Sequence, residues 1–66
     1  EDVNITKMRI LLMLRENMNI NVVDMIRKYK KQLDVMFQQP HTEEDAEWIT
    51  AEHLWAEKLL ERIYLN

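Results

Sequence analysis

A single proline, Pro40, interrupts a chain that contains no glycine. Glycine supplies the positive φ angles that tight β-turns need, so a glycine-free chain favours helices over hairpins and sheets. Proline cannot continue a helix and restricts the residue before it, which ends a helix near Gln38 or Gln39. Thr42 is a suitable N-cap, and the acidic residues that follow it match the positive end of a helix dipole. The sequence therefore predicts a helix over residues 43–65.

Apolar residues recur at intervals of three and four along the chain, the spacing of one face of an α-helix. In the C-terminal helix this stripe consists of Ala46, Ile49, His53, Ala56, Leu60 and Ile63, with Trp48, Trp55 and Leu59 beside it. In the middle segment it consists of Val22, Ile26, Tyr29, Leu33 and Met36. This pattern predicts a second helix over residues 21–38, with Asn21 as its N-cap. The first segment has a stripe of Ile5, Met8 and Leu12 but is apolar nearly all round, which predicts contacts on more than one side.

The segment Asn17–Asn21, with the sequence NMNIN, decides how the first two helices are connected. Asparagine lowers helix propensity and tolerates the left-handed conformation that ends helices when glycine is missing. This favours a turn, and an all-α three-helix bundle with helices at about 4–17, 21–38 and 43–65. However, the apolar stripes on the two sides of the segment are in phase, as one continuous helix would require. The alternative is a helical hairpin in which the first two segments are continuous and two copies form a four-helix bundle.

The chain of 66 residues is expected to form one domain, residues 1–66, with a small core. Small chains often gain stability from disulfides, a metal or a partner subunit, and the absence of cysteine excludes disulfides and thiolate zinc sites. Residues 1–40 carry seven basic and five acidic side chains, whereas residues 41–66 carry two basic and seven acidic ones. These opposite net charges favour packing of one part against the other, within or between chains.

Neither a long apolar run nor a secretory signal occurs in the sequence. We therefore expect no membrane partner and, since cysteine is absent, an intracellular protein, cytoplasmic or nuclear.

The sequence lacks the patterns that carry common catalytic chemistry. A phosphate-binding loop requires glycine, and neither the zinc-protease pattern HExxH nor the hydrolase pattern GxSxG occurs. His53 and Glu57 lie four residues apart on one helix face, but the Glu-x-x-His pattern of di-iron bundles is not met because residue 50 is threonine. We therefore expect no enzyme activity, no metal or other cofactor, and no small-molecule substrate.

The densest positive charge lies in the sequence IRKYKKQ of the second predicted helix. Its basic residues are Arg27, Lys28, Lys30 and Lys31. These side chains would neutralise phosphates, and Tyr29 would stack on a base. Tyr29 belongs to the apolar stripe, however, and the third helix is acidic, whereas a helix-turn-helix protein needs a basic recognition helix. Regulatory nucleic-acid binding through this cluster is therefore the alternative function.

All five methionines lie in the first two segments, where their unbranched side chains favour adaptable protein contacts. The apolar stripes also exceed what a hairpin of this length would cover. The sequence therefore predicts a small regulatory module for protein–protein interaction or coiled-coil-like oligomerisation, with another protein or a second copy as partner, as in a homodimer. The predicted partner-binding residues are Trp48, Trp55, Leu59, Ile63, Met36 and Leu33. Leu12 and Ile26 are expected to face them in the same seam, with charged flanks steering the orientation.

Overall fold

Three helices connected by two short turns make up the computed structural model of the chain, which describes residues 2–17 and 19–65. Helix α1 spans Val3–Arg15, α2 spans Asn19–Gln38 and α3 spans Glu43–Leu65. No strand occurs in the described part of the chain. The predicted all-α three-helix bundle is confirmed. The bounds of α3 agree with those predicted, while α1 and α2 begin one and two residues earlier.

The chain turns after α1, at the asparagine that begins the NMNIN segment. Asn17 has a φ angle of 59°, in the left-handed region, and its backbone N–H donates to the carbonyl of Leu14 at 3.2 Å. Asparagine is one of the few residues that take this conformation routinely in place of glycine. The continuous helix through this segment, the second predicted architecture, is therefore wrong. Asn21 is not an N-cap either, because α2 begins at Asn19 and Asn21 lies inside it.

The agreement in phase between the first two apolar stripes was accidental. Ile5, Met8 and Leu12 point to solvent, although the α2 stripe with which they are in phase is buried. α1 packs on α2 through a different set of residues: Val3, Thr6, Ile10, Met13 and Leu14. Thr6 lies inside this set because its hydroxyl donates to the carbonyl of Asp2 at 3.4 Å. The prediction that Leu12 faces the α3 seam was therefore wrong.

Helix α2 lies in the middle, and both α1 and α3 pack on it. The chain measures 36 × 24 × 15 Å along its principal axes, and the longest extent is close to the length of the 23-residue α3, about 34 Å at 1.5 Å per residue. The fully buried apolar residues are Ile10 from α1, Val22, Ile26, Tyr29 and Leu33 from α2, and Ile49 and Ala56 from α3. The three helices thus share one small core, and the outward sides of α1 and α3 lie in solvent.

Local signals fix the start of α3 as the sequence predicts. The hydroxyl of Thr42 accepts a hydrogen bond from the backbone N–H of Asp45 at 3.1 Å. Glu43, Glu44 and Asp45 occupy the first turn, where the positive end of the helix dipole stabilises them. The carboxylate of Asp45 also accepts from the indole N–H of Trp48 at 3.2 Å, which orients this tryptophan beside the core.

Candidate docking surface

The six residues predicted to bind a partner pack mostly inside the chain. Leu33 is fully buried in the core, so it contacts no partner while the fold is intact. Ile26, which was expected to face them, is also fully buried. The other five are half-buried against that core: Met36, Trp48, Trp55, Leu59 and Ile63. Their main role in this structure is to hold α2 and α3 together, and partner binding through their exposed parts stays a prediction.

A polar cluster beside Trp55 joins all three helices. The hydroxyl of Tyr29 in α2 donates to Glu52 Oε1 in α3 at 2.6 Å. Lys7 of α1 forms an ion pair with the same oxygen, also at 2.6 Å. The lysine Nζ lies 5.0 Å from the centre of the Trp55 ring, which meets the Tyr29 ring edge to face at a centroid distance of 6.0 Å. The cluster of Lys7, Tyr29 and Glu52 therefore links α1 to α3 across the edge of the core.

The protonation states in this cluster make it a structural link rather than an acid–base pair. Burial, the hydrogen bond to Glu52 and the charge of that carboxylate raise the pKa of Tyr29 well above its ordinary value. Burial alone would raise the pKa of Glu52, but the hydrogen bonds from Lys7 and Tyr29 and the charge of Lys7 outweigh it, so the pKa is lowered. At neutral pH Glu52 is ionised and Tyr29 is protonated. Neither group titrates near neutrality, where general acid–base catalysis operates.

The side of α1 that faces away from the core carries a continuous apolar surface. It consists of Ile5, Met8, Leu11 and Leu12, whose exposed fractions are 46%, 63%, 49% and 55%. We name these four residues the α1 outer face. With about 3.6 residues per turn, they lie roughly opposite the fully buried Ile10. The sequence indicated this surface only in part. It showed that α1 is apolar nearly all round, but not which side of the helix packs against the core.

Positive charge flanks the α1 outer face. Helix α1 contains Lys7, Arg9 and Arg15 and no acidic residue. Lys7 belongs to the polar cluster with Glu52, whereas Arg9 and Arg15 are exposed. At about 100° per residue, Arg9 lies at the edge of the stripe beside Ile5, whereas Arg15 follows Met8 by seven residues and lies at the C-terminal end of the stripe. A ligand on this face therefore meets an apolar surface with one cation at its edge and another at its C-terminal end.

Half of the basic cluster in α2 is directed towards α3. Arg27 donates from Nη2 to the hydroxyl of Tyr64 at 2.6 Å. Lys30 forms an ion pair with Glu57 at 3.6 Å. These contacts follow from the charge asymmetry of the sequence, in which the acidic C-terminal helix attracts the basic middle segment. Two of the four predicted nucleic-acid-binding residues therefore contact α3 within the chain.

The other two basic residues of the cluster lie on the side of α2 that is nearer to the start of α1. Lys28 and Lys31 line a groove beside the start of α1, and Tyr29 between them is only 2% exposed. The buried ring of Tyr29 is therefore not accessible for stacking on a base. Nucleic-acid binding through this cluster stays a prediction that the geometry weakens.

His53 lies between two carboxylates at the contact of α2 with α3. Its Nε2 is 3.3 Å from Oδ1 of Asp34, and its Nδ1 is 3.6 Å from Oε1 of Glu57. The two carboxylates approach different ring nitrogens, so the three side chains do not converge on one metal position. Within residues 2–17 and 19–65, no group of three His, Asp or Glu side chains has an arrangement that would hold a metal ion.

No protein-family model matches the chain, and comparisons with curated proteins and with solved structures find no significant similarity. Over the part of the chain that the structure describes, none of the helices combines the length and apolar character needed to cross a membrane. The candidate site therefore follows from geometry and charge. Among the surfaces described above, the α1 outer face combines the most exposed apolar side chains on one helix with a consistent charge at its margins.

Proposed function

We propose that this chain is a protein-interaction module that binds an acidic amphipathic helix of a partner protein on the α1 outer face. The observation that carries the proposal is the exposure of four large apolar side chains, between 46% and 63%, on the side of α1 opposite the core. Scattered exposed leucines are ordinary, but a contiguous apolar patch rimmed by polar groups marks an interaction site.

The shape of the α1 outer face favours a helix as the bound element. From Ile5 to Leu12 the face extends over two turns, about 10 Å at 1.5 Å per residue. Its width is that of a single helix stripe, since the residues beside it are polar or charged. Amphipathic helices dock on such surfaces through side chains at positions i, i+3, i+4 and i+7. Met8, with its flexible thioether, adapts the centre of the face to side chains of different shape.

The charge of α1 favours an acidic partner over a second copy of the chain. In a homodimer formed through the α1 outer faces, Arg9 and Arg15 of both copies would surround one interface. Between Val3 and Arg15 the sequence contains no acidic residue, and like charges placed together across an interface are costly. A helix with Asp or Glu beside its apolar stripe is instead attracted and oriented. The homodimer predicted from the sequence is therefore the less favoured arrangement.

The size of the α1 outer face indicates a weak and reversible contact. Four half-exposed aliphatic side chains offer on the order of a few hundred Å² of apolar surface. A standard stable interface buries about 800 Å² per partner. Binding should therefore be transient and should weaken as salt screens Arg9 and Arg15.

Three synthetic helical peptides test this proposal. All share one apolar leucine stripe, and the flanking positions are glutamate in the first, glutamine in the second and lysine in the third. Backbone amide chemical shifts of the isotope-labelled protein are measured by NMR during titration with each peptide. We expect the glutamate peptide to bind, with shifts concentrated at the α1 outer face, the glutamine peptide to bind more weakly, and the lysine peptide not to bind.

Two variants of matched exposure identify the surface. Leu12→Asp should abolish binding and keep the fold, because Leu12 is 55% exposed. Leu54→Asp, at a position 51% exposed on α3, should bind like the unaltered protein. The proposal is overturned if no peptide binds, if the lysine peptide binds equally well, or if Leu12→Asp leaves binding unchanged. A dimer in sedimentation equilibrium that Leu12→Asp dissociates would also overturn it, because a second copy would then occupy the face.

A further inference from the structure

A second apolar surface lies in a groove between the start of α1 and the second half of α2. The groove has a volume of about 590 Å³, within the roughly 300–1,000 Å³ of small-molecule sites. It exists because α2 has 20 residues and α1 has 13, so α2 continues beyond the point where α1 begins. At 1.5 Å per residue the difference in length is about 10 Å.

The walls of the groove combine an apolar surface with positive charge on one side. Val3, Val35 and Met36 provide the apolar part, and Lys28 and Lys31 lie one helical turn apart on α2. Val35, in the last turn of α2, is 47% exposed. None of the seven lining residues is aromatic, so the groove offers no ring on which a nucleobase or other flat ligand would stack.

One acidic residue, Asp2, also lines the groove. Its carboxylate serves as the N-cap of α1 and accepts the backbone N–H of Asn4 at 2.8 Å. The positive end of the α1 dipole further offsets its charge. Lys31 is exposed and supplies a positive charge at the groove, which favours an anion.

We infer that this groove binds a single-chain alkyl carboxylate of the fatty-acid type. The alkyl chain lies along Val35, Met36 and Val3, and the carboxylate faces Lys31 at the rim. A flexible chain suits an open, elongated groove better than a rigid ring system does, and methionine adapts its shape to such a chain. The surface is separate from the α1 outer face, because none of the four residues of that face lines the groove.

The first test is a titration with sodium decanoate below its micelle concentration, followed by backbone amide shifts. We expect saturable shifts confined to the groove residues of α1 and α2. Decanol, which has the same chain and no charge, should bind about fivefold more weakly because the ion pair with an exposed lysine is modest. Affinity should rise about twofold per added methylene from octanoate to dodecanoate, half the effect of complete burial, since the groove is open on one side.

Variants at exposed positions complete the test without unfolding the domain. Lys31→Glu should weaken decanoate binding at least about fivefold, whereas Lys58→Glu, the same change at an exposed position of α3, should not alter it. Val35→Asn should weaken binding about threefold, and Leu54→Asn is its control of similar exposure. Absence of saturable shifts, equal binding of decanol, an unaffected Lys31→Glu variant, or loss of shift dispersion over the whole chain would each overturn the inference.

Discussion

Replacing Tyr29 with phenylalanine tests whether the polar cluster across the three helices stabilises the fold. The change removes one hydroxyl and keeps the edge-to-face contact with Trp55. A hydrogen bond to a charged group contributes about 1.5–3 kcal/mol. The lower end of this range applies here, because the Glu52 side chain is 23% exposed and keeps its ion pair with Lys7. We therefore expect the free energy of unfolding to fall by about 1.5 kcal/mol.

The second tyrosine supplies a matched control. Tyr64 is 61% exposed, and its hydroxyl accepts from Arg27 at 2.6 Å near the end of α3. Tyr64→Phe should change the stability by less than about 0.5 kcal/mol, as surface substitutions usually do. Urea unfolding followed by far-ultraviolet circular dichroism measures both variants. In a domain of this size each kcal/mol shifts the melting temperature by about 4–8 °C, so Tyr29→Phe should lower it by about 6–12 °C.

A double-mutant cycle assigns the loss to the contact between Tyr29 and Glu52. Glu52→Gln keeps the length of the side chain and removes its charge. If the hydroxyl and the carboxylate act together, the two single changes should be non-additive by about 1 kcal/mol. The reasoning is refuted if Tyr29→Phe destabilises the protein no more than Tyr64→Phe, or if the two effects in the cycle simply add.

Three further predictions concern α1, the turn and the pH dependence of stability. Ile10→Ala should cost about 2–5 kcal/mol because Ile10 is fully buried, whereas Leu12→Ala on the same helix should cost less than about 0.5 kcal/mol; urea unfolding compares them. Asn17→Gly should leave stability unchanged or raise it slightly, and Asn17→Ala should lower it by about 1 kcal/mol, since Asn17 has a positive φ angle; equal melting temperatures would contradict this. The lowered pKa of Glu52 means that its contribution is present above the ordinary value of 4.5 and is lost as the pH falls through the lowered value. The raised pKa of Tyr29 means that its contribution is present below 10.0 and is lost as the pH rises above that value. In stability profiles against pH, Glu52→Gln should therefore flatten the acid side and Tyr29→Phe the alkaline side.

The three helices, the end of α2 and both ends of α3 were predictable because local chemistry determines them, whereas α2 begins two residues before the predicted start at residue 21. Pro40 stops α2, Thr42 caps α3, and Asn17 takes the left-handed conformation that a glycine-free chain has to assign to asparagine. The buried stripe of α2 also follows directly from its spacing. These features depend on neighbours within a few residues, so the local sequence contains the information that determines them.

The orientation of α1 was not predictable in the same way. A period of about 3.6 identifies a face, but α1 has apolar residues on two opposite faces, and periodicity does not say which one packs inward. The structure buries the face containing Thr6 and exposes the one containing Met8. The agreement in phase between the apolar stripes of α1 and α2 favoured burial of the face containing Met8, which the structure exposes. Which of the two faces packs inward depends on how α1 lies against α2, which is a tertiary property.

The polar cluster was missed for a related reason. Tyr29 and Glu52 are separated by 23 residues, and Lys7 lies on yet another helix. Nothing in the local pattern pairs these three residues, because the pairing depends on how α1 and α3 lie against α2. The tryptophans show a related limit, because large aromatic residues at helical spacing occur both in cores and in partner-binding surfaces. In the structure Trp48 and Trp55 pack against the small core, and partner binding through their exposed parts stays a prediction.

The central claim is that the α1 outer face is the docking surface for an acidic helix. The most direct measurement is the affinity of the glutamate-flanked peptide for the unaltered protein, for Leu12→Asp and for Leu54→Asp, by fluorescence anisotropy at low salt. The account predicts binding to the unaltered protein and to Leu54→Asp, and loss of binding to Leu12→Asp. Equal affinity for all three proteins, or binding lost only in Leu54→Asp, would contradict it.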